Sequence, residues 1–193
     1  MSKGTKKKIL EAGLTLFSTK GYLGSTTREI AKKAGVAEVT LFRHFSSKEM
    51  LFEEIINIYT FLPTLKGLLP SLAKMEYREA LEEIARRFLE RLDERKDMIQ
   101  IMYSEVHRYP TTVVSIHRTF VDEIFKTLAS YFRKMQSLKK LRGFHPEIGA
   151  MAFVGMFFAF FTTREFLRRE ESGSDTEQVI KEFVEIFMKG TIQ

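Results

Sequence analysis

The chain has 193 residues, room for one large domain or for a small head fused to a larger body, at roughly 100–200 residues per domain. It contains no cysteine and no tryptophan, which removes disulfides, thiolate metal sites and cysteine nucleophiles from consideration. The net charge of +6 is localised: residues 1–50 hold ten Lys and Arg against four Asp and Glu, and over residues 51–193 bases and acids cancel. That asymmetry fits a head that meets a polyanion and a body that does not.

Apolar residues recur at helical spacing throughout, with no strand-like alternation and no repeat of 20–50 residues, so the expected fold is all-α. The N-terminal segment MSKGTKKKILEAGLTLF mixes charge with periodic apolar positions and lacks a small-residue cleavage site. It is therefore not read as a secretory signal, and a cytoplasmic location is expected. A first helix is predicted over Thr5–Thr19, with Ile9, Leu10, Gly13, Leu14, Leu16 and Phe17 turned inward. Lys6, Lys7 and Lys8 stand in its first turn, where cations oppose the helix dipole and an external anion would suit them.

Gly21 and Gly24 break the chain, and Thr26-Thr27-Arg28-Glu29 has the pattern of a capping box that starts a short helix ending at Ala34. Gly35 fits the left-handed residue that closes such a helix. A second short helix follows over Ala37–Phe45. Ser46 with Glu49 repeats the capping-box pattern and is expected to start a longer helix, stopped by Pro63 near Leu62. Further helices are expected near 64–74, 76–94, 96–108, 111–137, 145–171 and 175–190, punctuated by Pro70, Pro110, the Gly143–Pro146 turn and Ser172-Gly173-Ser174.

Two short helices about a tight glycine turn form a helix-turn-helix unit, whose second helix enters the DNA major groove. Val36, Leu41 and Phe45 share one side of that helix and are expected to anchor it. Glu38, Val39, Thr40, Phe42, Arg43 and His44 are left outward or sideways. An arginine there can pair with guanine, Glu38 can accept from cytosine and Val39 can touch a thymine methyl. Thr26, Thr27, Thr40, His44 and Lys48 are candidate phosphate donors.

The run TTREIAKKAGVAEVTLFRHFSSKEMLF, Thr26 to Phe52, preceded by ILEAGLTLFSTKGY, closely resembles the DNA-binding head of the tetracycline-repressor (TetR) family. The resemblance covers about residues 6–52. It implies a homodimer whose recognition helices, Ala37 to His44, read a palindromic operator in double-stranded DNA, usually repressing until a small molecule binds the body. Carried over by position, Arg28, Glu38 and Val39 face bases, while Thr26, Thr27, Thr40, His44 and Lys48 hold phosphates. The chain departs from the family at Phe42, where tyrosine is usual, so a hydroxyl-to-phosphate bond is missing and Arg43 is the residue placed to compensate. The implied organisation is a three-helix helix-turn-helix head over residues 1–47 and a helical ligand-binding and dimerisation body over 48–193.

Most of the 18 Phe and nine Met residues belong to the body. Phe88, Met102, Phe120, Phe125, Phe153 and Phe157 are the residues expected to contact an apolar effector, although at helical spacing such residues more often form core or interface than pocket. Ile148–Phe161 is apolar nearly all round but spans 14 residues, short of the roughly 20 that cross a bilayer, so burial rather than a membrane is expected. With Val179, Ile180, Phe183, Val184, Phe187 and Met188 of the last helix, it is read as a four-helix dimer interface.

His44, His107, His117 and His145 lack metal-ligand spacing, and no nucleotide-binding or hydrolase motif is present, so neither metal, cofactor nor catalysis is expected. The competing readings are an architectural DNA binder without an effector and a small-molecule or lipid carrier whose head only docks.

Overall fold

The computed structural model describes residues 3–168 and 175–192. These residues form ten α-helices and no β-strand. The helices are α1 (Lys3–Lys20), α2 (Thr27–Ala34), α3 (Glu38–His44), α4 (Lys48–Tyr59), α5 (Phe61–Leu72), α6 (Tyr77–Glu94), α7 (Lys96–Glu105), α8 (Thr111–Ser137), α9 (Pro146–Thr162) and α10 (Thr176–Lys189). A 3-10 turn at Val106–Arg108 follows α7, and a π-helical turn at Thr163–Arg168 follows α9. The predicted end of the 145–171 helix and the Ser172-Gly173-Ser174 break lie outside the described residues.

The chain divides into two compact units. One comprises residues 1–60 and 95–120, so α7 and the start of α8 fold with the first four helices. The other comprises 61–94 and 121–193.

In the first unit α1 packs on α2, α4 and α7, and α2 packs on α3. Its core joins Ile9, Leu10 and Phe17 of α1, Ile30 and Ala31 of α2, Leu41 of α3, Leu51, Phe52, Ile55 and Ile56 of α4, Met98 of α7 and Val113 of α8. The inward stripe predicted for α1 is thus buried, with Leu14 and Leu16 packed at its margin. Phe17, Tyr22 and Phe52 form an aromatic triangle with centroids 5.2–5.8 Å apart, separations at which edge-on rings attract.

The second unit is built on α6, which packs on α5, α9 and α10. Leu81, Ile84, Ala85 and Phe88 are buried one and two turns apart on α6, the spacing of an apolar helical face. Phe61 of α5 meets Phe88 at 4.9 Å. Phe153 of α9 lies 5.1 Å from both Phe157 and Phe187. Outside this core, Arg86 forks onto Glu177 of α10 through two bonds of 2.8 and 2.9 Å, and Arg164 pairs with Asp93.

Three local expectations are corrected. The cap of α4 is Ser47, whose side chain accepts from the Met50 backbone N–H, and not Ser46. Glu49 accepts from the Tyr22 hydroxyl at 2.6 Å, and that bond leads the interactions that hold its carboxyl below the usual range. Pro63 does not stop a helix. The chain breaks at Thr60, in extended conformation, and Pro63 falls in the first turn of α5, where its missing N–H would have no intrahelical partner anyway. Pro70, read as a breaker, lies inside α5.

The apolar run around α9 is also longer than counted from the sequence. Pro146–Phe166 has the length and composition to cross a bilayer, because the π turn extends the helix beyond Phe161. Phe153, Phe157 and Phe161 on this segment are nonetheless fully buried against protein, and Arg164 and Glu165 near its end pair with each other at 2.8 Å.

Candidate nucleic-acid interface

The head's recognition unit is held by local bonds the sequence specifies. Thr26 caps α2: its hydroxyl accepts from the Glu29 N–H at 3.2 Å, while Glu29 accepts from the Thr26 N–H at 3.0 Å. Glu29 also receives the Lys20 ammonium at 2.7 Å. Together these bonds, led by that to Lys20, hold its carboxyl down at about 2. Gly35 ends α2 in the left-handed region at φ 69, open to glycine at no steric cost, and turns the chain into α3. Leu41 and Phe45 are buried beneath α3, and Val36 packs beside them, so the anchoring side is the one expected.

The opposite side stands uncovered. Val39 is 59% and Phe42 45% exposed, and Arg43 is exposed with His44 half-buried. Thr40 is half-buried. Two large apolar side chains displayed beside basic groups form a poor solvent face but a good groove surface.

Arg28 projects from α2 with its side chain 87% exposed and reaches Glu38 only through a single 3.5 Å contact. A pair so long and so wet contributes little, so Arg28 is free to exchange Glu38 for another partner. Glu38 itself is fixed by the Thr27 hydroxyl at 2.7 Å. The Thr26 hydroxyl donates to Glu29 at 2.9 Å. Two of the three threonine hydroxyls expected to serve phosphates, those of Thr26 and Thr27, are therefore engaged internally. The Thr27 and Arg28 backbone N–H groups fall in the first turn of α2, where an N–H has no intrahelical partner.

Lys48 opens α4 and is half-buried. Its ammonium lies 4.1 Å from the Tyr22 ring centroid, within cation–π range. Burial pulls its pKa below the usual lysine value, against the nearby carboxylates of Glu49, Glu105 and Glu29. Tyr22 is in turn fixed by its bond to Glu49, and burial with that carboxylate pushes its phenol well above the ordinary range. Of the leading lysines, Lys6 pairs with Glu54 at 2.6 Å and lies 5.7 Å from the Phe45 ring; Lys8 is exposed.

These elements place Arg28, Glu38, Val39, Phe42 and Arg43 together at α2 and α3, with Lys48 at the start of α4. A helix-turn-helix with this charge and capping matches the family model described as bacterial regulatory proteins, tetR family, over residues 9–55. A second model, the AefR-like transcriptional repressor C-terminal domain, matches residues 79–190. This chain belongs to the TetR family. The regulator is 27% identical to the HTH-type transcriptional regulator YvkB of Bacillus subtilis, over 96% of each chain. To the biofilm operon negative transcriptional regulator IcaR of Staphylococcus aureus it is 40% identical over 52 residues, 27% of this chain and 28% of that protein. Its fold is that of the flavonoid-responsive regulator FrrA, with a TM-score of 0.75, 24% identity and 99% and 98% of the two chains covered.

Of the residues expected to meet an effector, Phe88, Phe125, Phe153 and Phe157 fall in the second unit and Met102 and Phe120 in the first. Phe153 and Phe157 are fully buried against each other and Phe88 is buried against Phe61. Phe125 is half-buried on α8, and Phe120 packs on the core of the first unit. Met102 lines an open cleft of about 170 Å3, whose wall also includes Tyr103, Val106, Tyr109, Val113, Val114 and His117. In the sequence His117 is marked only by its lack of metal-ligand spacing. Burial in this apolar wall lowers its pKa.

Tyr22, Glu105 and Tyr109 were missed as well. Tyr109 donates to Glu105 at 3.2 Å and lies edge-on to Tyr22 at 5.9 Å. The signal in the sequence was the Gly21-Tyr22 pair shortly before the capping box: Gly21 takes φ 71, and the Glu105 and Ile101 side chains lie so close that a Cβ there would force them to shift.

Proposed function

We propose that this TetR-family regulator is a homodimeric, cytoplasmic repressor that reads a palindromic operator and is released by a small apolar effector. The observation that carries the reading is the uncovered face of α3: Val39 and Phe42 displayed beside Arg43, with Arg28 held only loosely by Glu38. In the proposed assignment Arg28, Glu38 and Val39 meet bases. Thr40, His44, Lys48 and the first turn of α2 meet phosphates, and Phe42 contributes apolar contact without the hydroxyl of a tyrosine.

Functionally the chain divides at 47/48, the head reading DNA and the body supplying dimerisation and effector response, although packing groups α4 and α7 with the head. Dimerisation is assigned to α9 and α10, which leave Ile148 58%, Met151 53% and Ile186 60% exposed. Effector control draws support from the flavonoid-responsive FrrA, which shares the fold. No cofactor and no catalytic step enter the mechanism.

Selection of random duplex DNA by the purified protein at physiological salt tests the reading. Recovery of a palindrome with half-sites roughly one helical turn, about 34–36 Å, or a multiple apart is expected. Enrichment of no sequence, with binding set by salt alone, would overturn it.

A further inference from the structure

We propose that the cleft between the end of α7 and the first turns of α8 binds a neutral single-ring aromatic molecule bearing one hydroxyl, and that its occupancy is transmitted to Lys48 through Tyr109 and Tyr22. The inference rests on the effector control proposed above and gives it a site, a ligand class and a route.

Size sets the class. A cleft of about 170 Å3 is close to the roughly 150 Å3 apolar cavity that accepts benzene, and well below the roughly 300–1,000 Å3 of sites for drug-sized molecules. Met102, Val106 and Val113 supply apolar wall and Tyr103 and Tyr109 supply rings, which suits an aromatic guest. A charged guest would lose hydration with no counter-charge among the lining residues. His117 makes no hydrogen bond to another described residue, and burial favours its neutral form. A neutral imidazole offers one donor and one acceptor, the complement of a single hydroxyl.

The route is short and lies within one compact unit. Tyr109 is a wall of the cleft and touches Tyr22 edge-on at 5.9 Å. The Tyr22 ring is the seat of the Lys48 ammonium at 4.1 Å. A second strand runs beside it: Tyr109 donates to Glu105, and Glu105 lies against the backbone of Gly21, next in sequence to Tyr22. A guest that shifts Tyr109 therefore moves the support of Lys48, and the coupling must act equally in reverse.

The test uses full-length protein carrying 13C-methyl methionine and 13C-dimethylated lysines, titrated with p-cresol, with toluene as the guest lacking a hydroxyl. Lys48 sits over an aromatic ring, so its resonance reports any movement of Tyr22 without DNA present. The expected result is a saturable shift of the Met102 methyl, a Lys48 shift that follows the same isotherm, and weaker saturation by toluene. Val114→Phe, or Val106→Phe at the exposed rim should the first variant fail to fold, should abolish both shifts.

On the selected duplex, saturating p-cresol should change the affinity by about 5- to 150-fold relative to the same protein without it. A silent Met102 would overturn the site, and a saturating Met102 with an unmoved Lys48 would overturn the route. Failure to select any duplex would instead strike the operator reading, and leaves both resonances interpretable.

Discussion

Arg28 and Lys48 illustrate how differently two cations of the proposed interface are held. Arg28 is nearly free, so its energy is available for a base edge; Lys48 is half-buried on a ring, which pulls its pKa down and makes a phosphate a welcome counter-charge. Arg28→Ala should cost roughly 1–3 kcal/mol on the selected operator and relax one base position per half-site, whereas Lys48→Ala should weaken binding to every sequence and lower the salt slope by about one. Competition binding across salt concentrations separates them, and equal losses on all DNA would dissolve the division of roles. Two glycines allow a similar contrast. Both have positive φ, but nothing lies within 4 Å of a Cβ at Gly35, while a Cβ at Gly21 would lie 2.7 Å from Ile101 Cγ2 and closer still to the Glu105 carboxylate. Gly35→Ala should cost about 1–2 kcal/mol from backbone conformation alone. Gly21→Ala adds an overpacking cost of about 1–3 kcal/mol. Thermal denaturation should rank them in that order, and equal losses would mean that the α7 contact with this turn is not tight.

Helix starts show what a sequence discloses and what it withholds. The Thr26–Glu29 box closes on itself within four residues, so the pattern was sufficient to find it. At α4 the same pattern misled, because Glu49 is captured by Tyr22, 27 residues away in the chain, and the cap passes to Ser47. Ser47→Ala should therefore destabilise the protein by about 1 kcal/mol, and Ser46→Ala by much less; urea midpoints for the two variants measure the difference, and the reverse ranking would restore Ser46 as the cap. Proline misled for a related reason. Pro63 stops a helix only if the helix is already running, and the break at Thr60 puts it in an opening turn instead. Helices α1, α2, α6, α8 and α10 were legible because each buries a periodic face. The 3-10 and π turns were not, since apolar spacing alone does not distinguish them from the α-helices they continue.

At the scale of the molecule, the head was readable because its chemistry is local, whereas which apolar residues of the body fill the core is decided by tertiary packing. Phe153 and Phe157 have the same composition signal as Met102, yet they fill a core and Met102 lines a cleft. The dimer face lies between these cases. Ile148, Met151, Ala152, Gly155 and Ala159 recur at three- and four-residue intervals along α9 and are all exposed, a stripe that a lone protomer leaves in water at a cost of about 25 cal/mol per Å2 of apolar surface. Small residues at its centre allow a second helix to approach closely, as the proposed two-fold requires. Met151→Glu tests this without disturbing the core, since the side chain is 53% exposed. Placed across a two-fold, an unpaired buried carboxylate costs about 3–5 kcal/mol, so the dimer should weaken by at least about a hundredfold in sedimentation equilibrium. Helical content should persist, and binding to the palindrome should fall toward that of an isolated half-site, because the two recognition helices no longer share one association step. A Met151→Glu protein that stays dimeric with unaltered affinity would move the interface to another face.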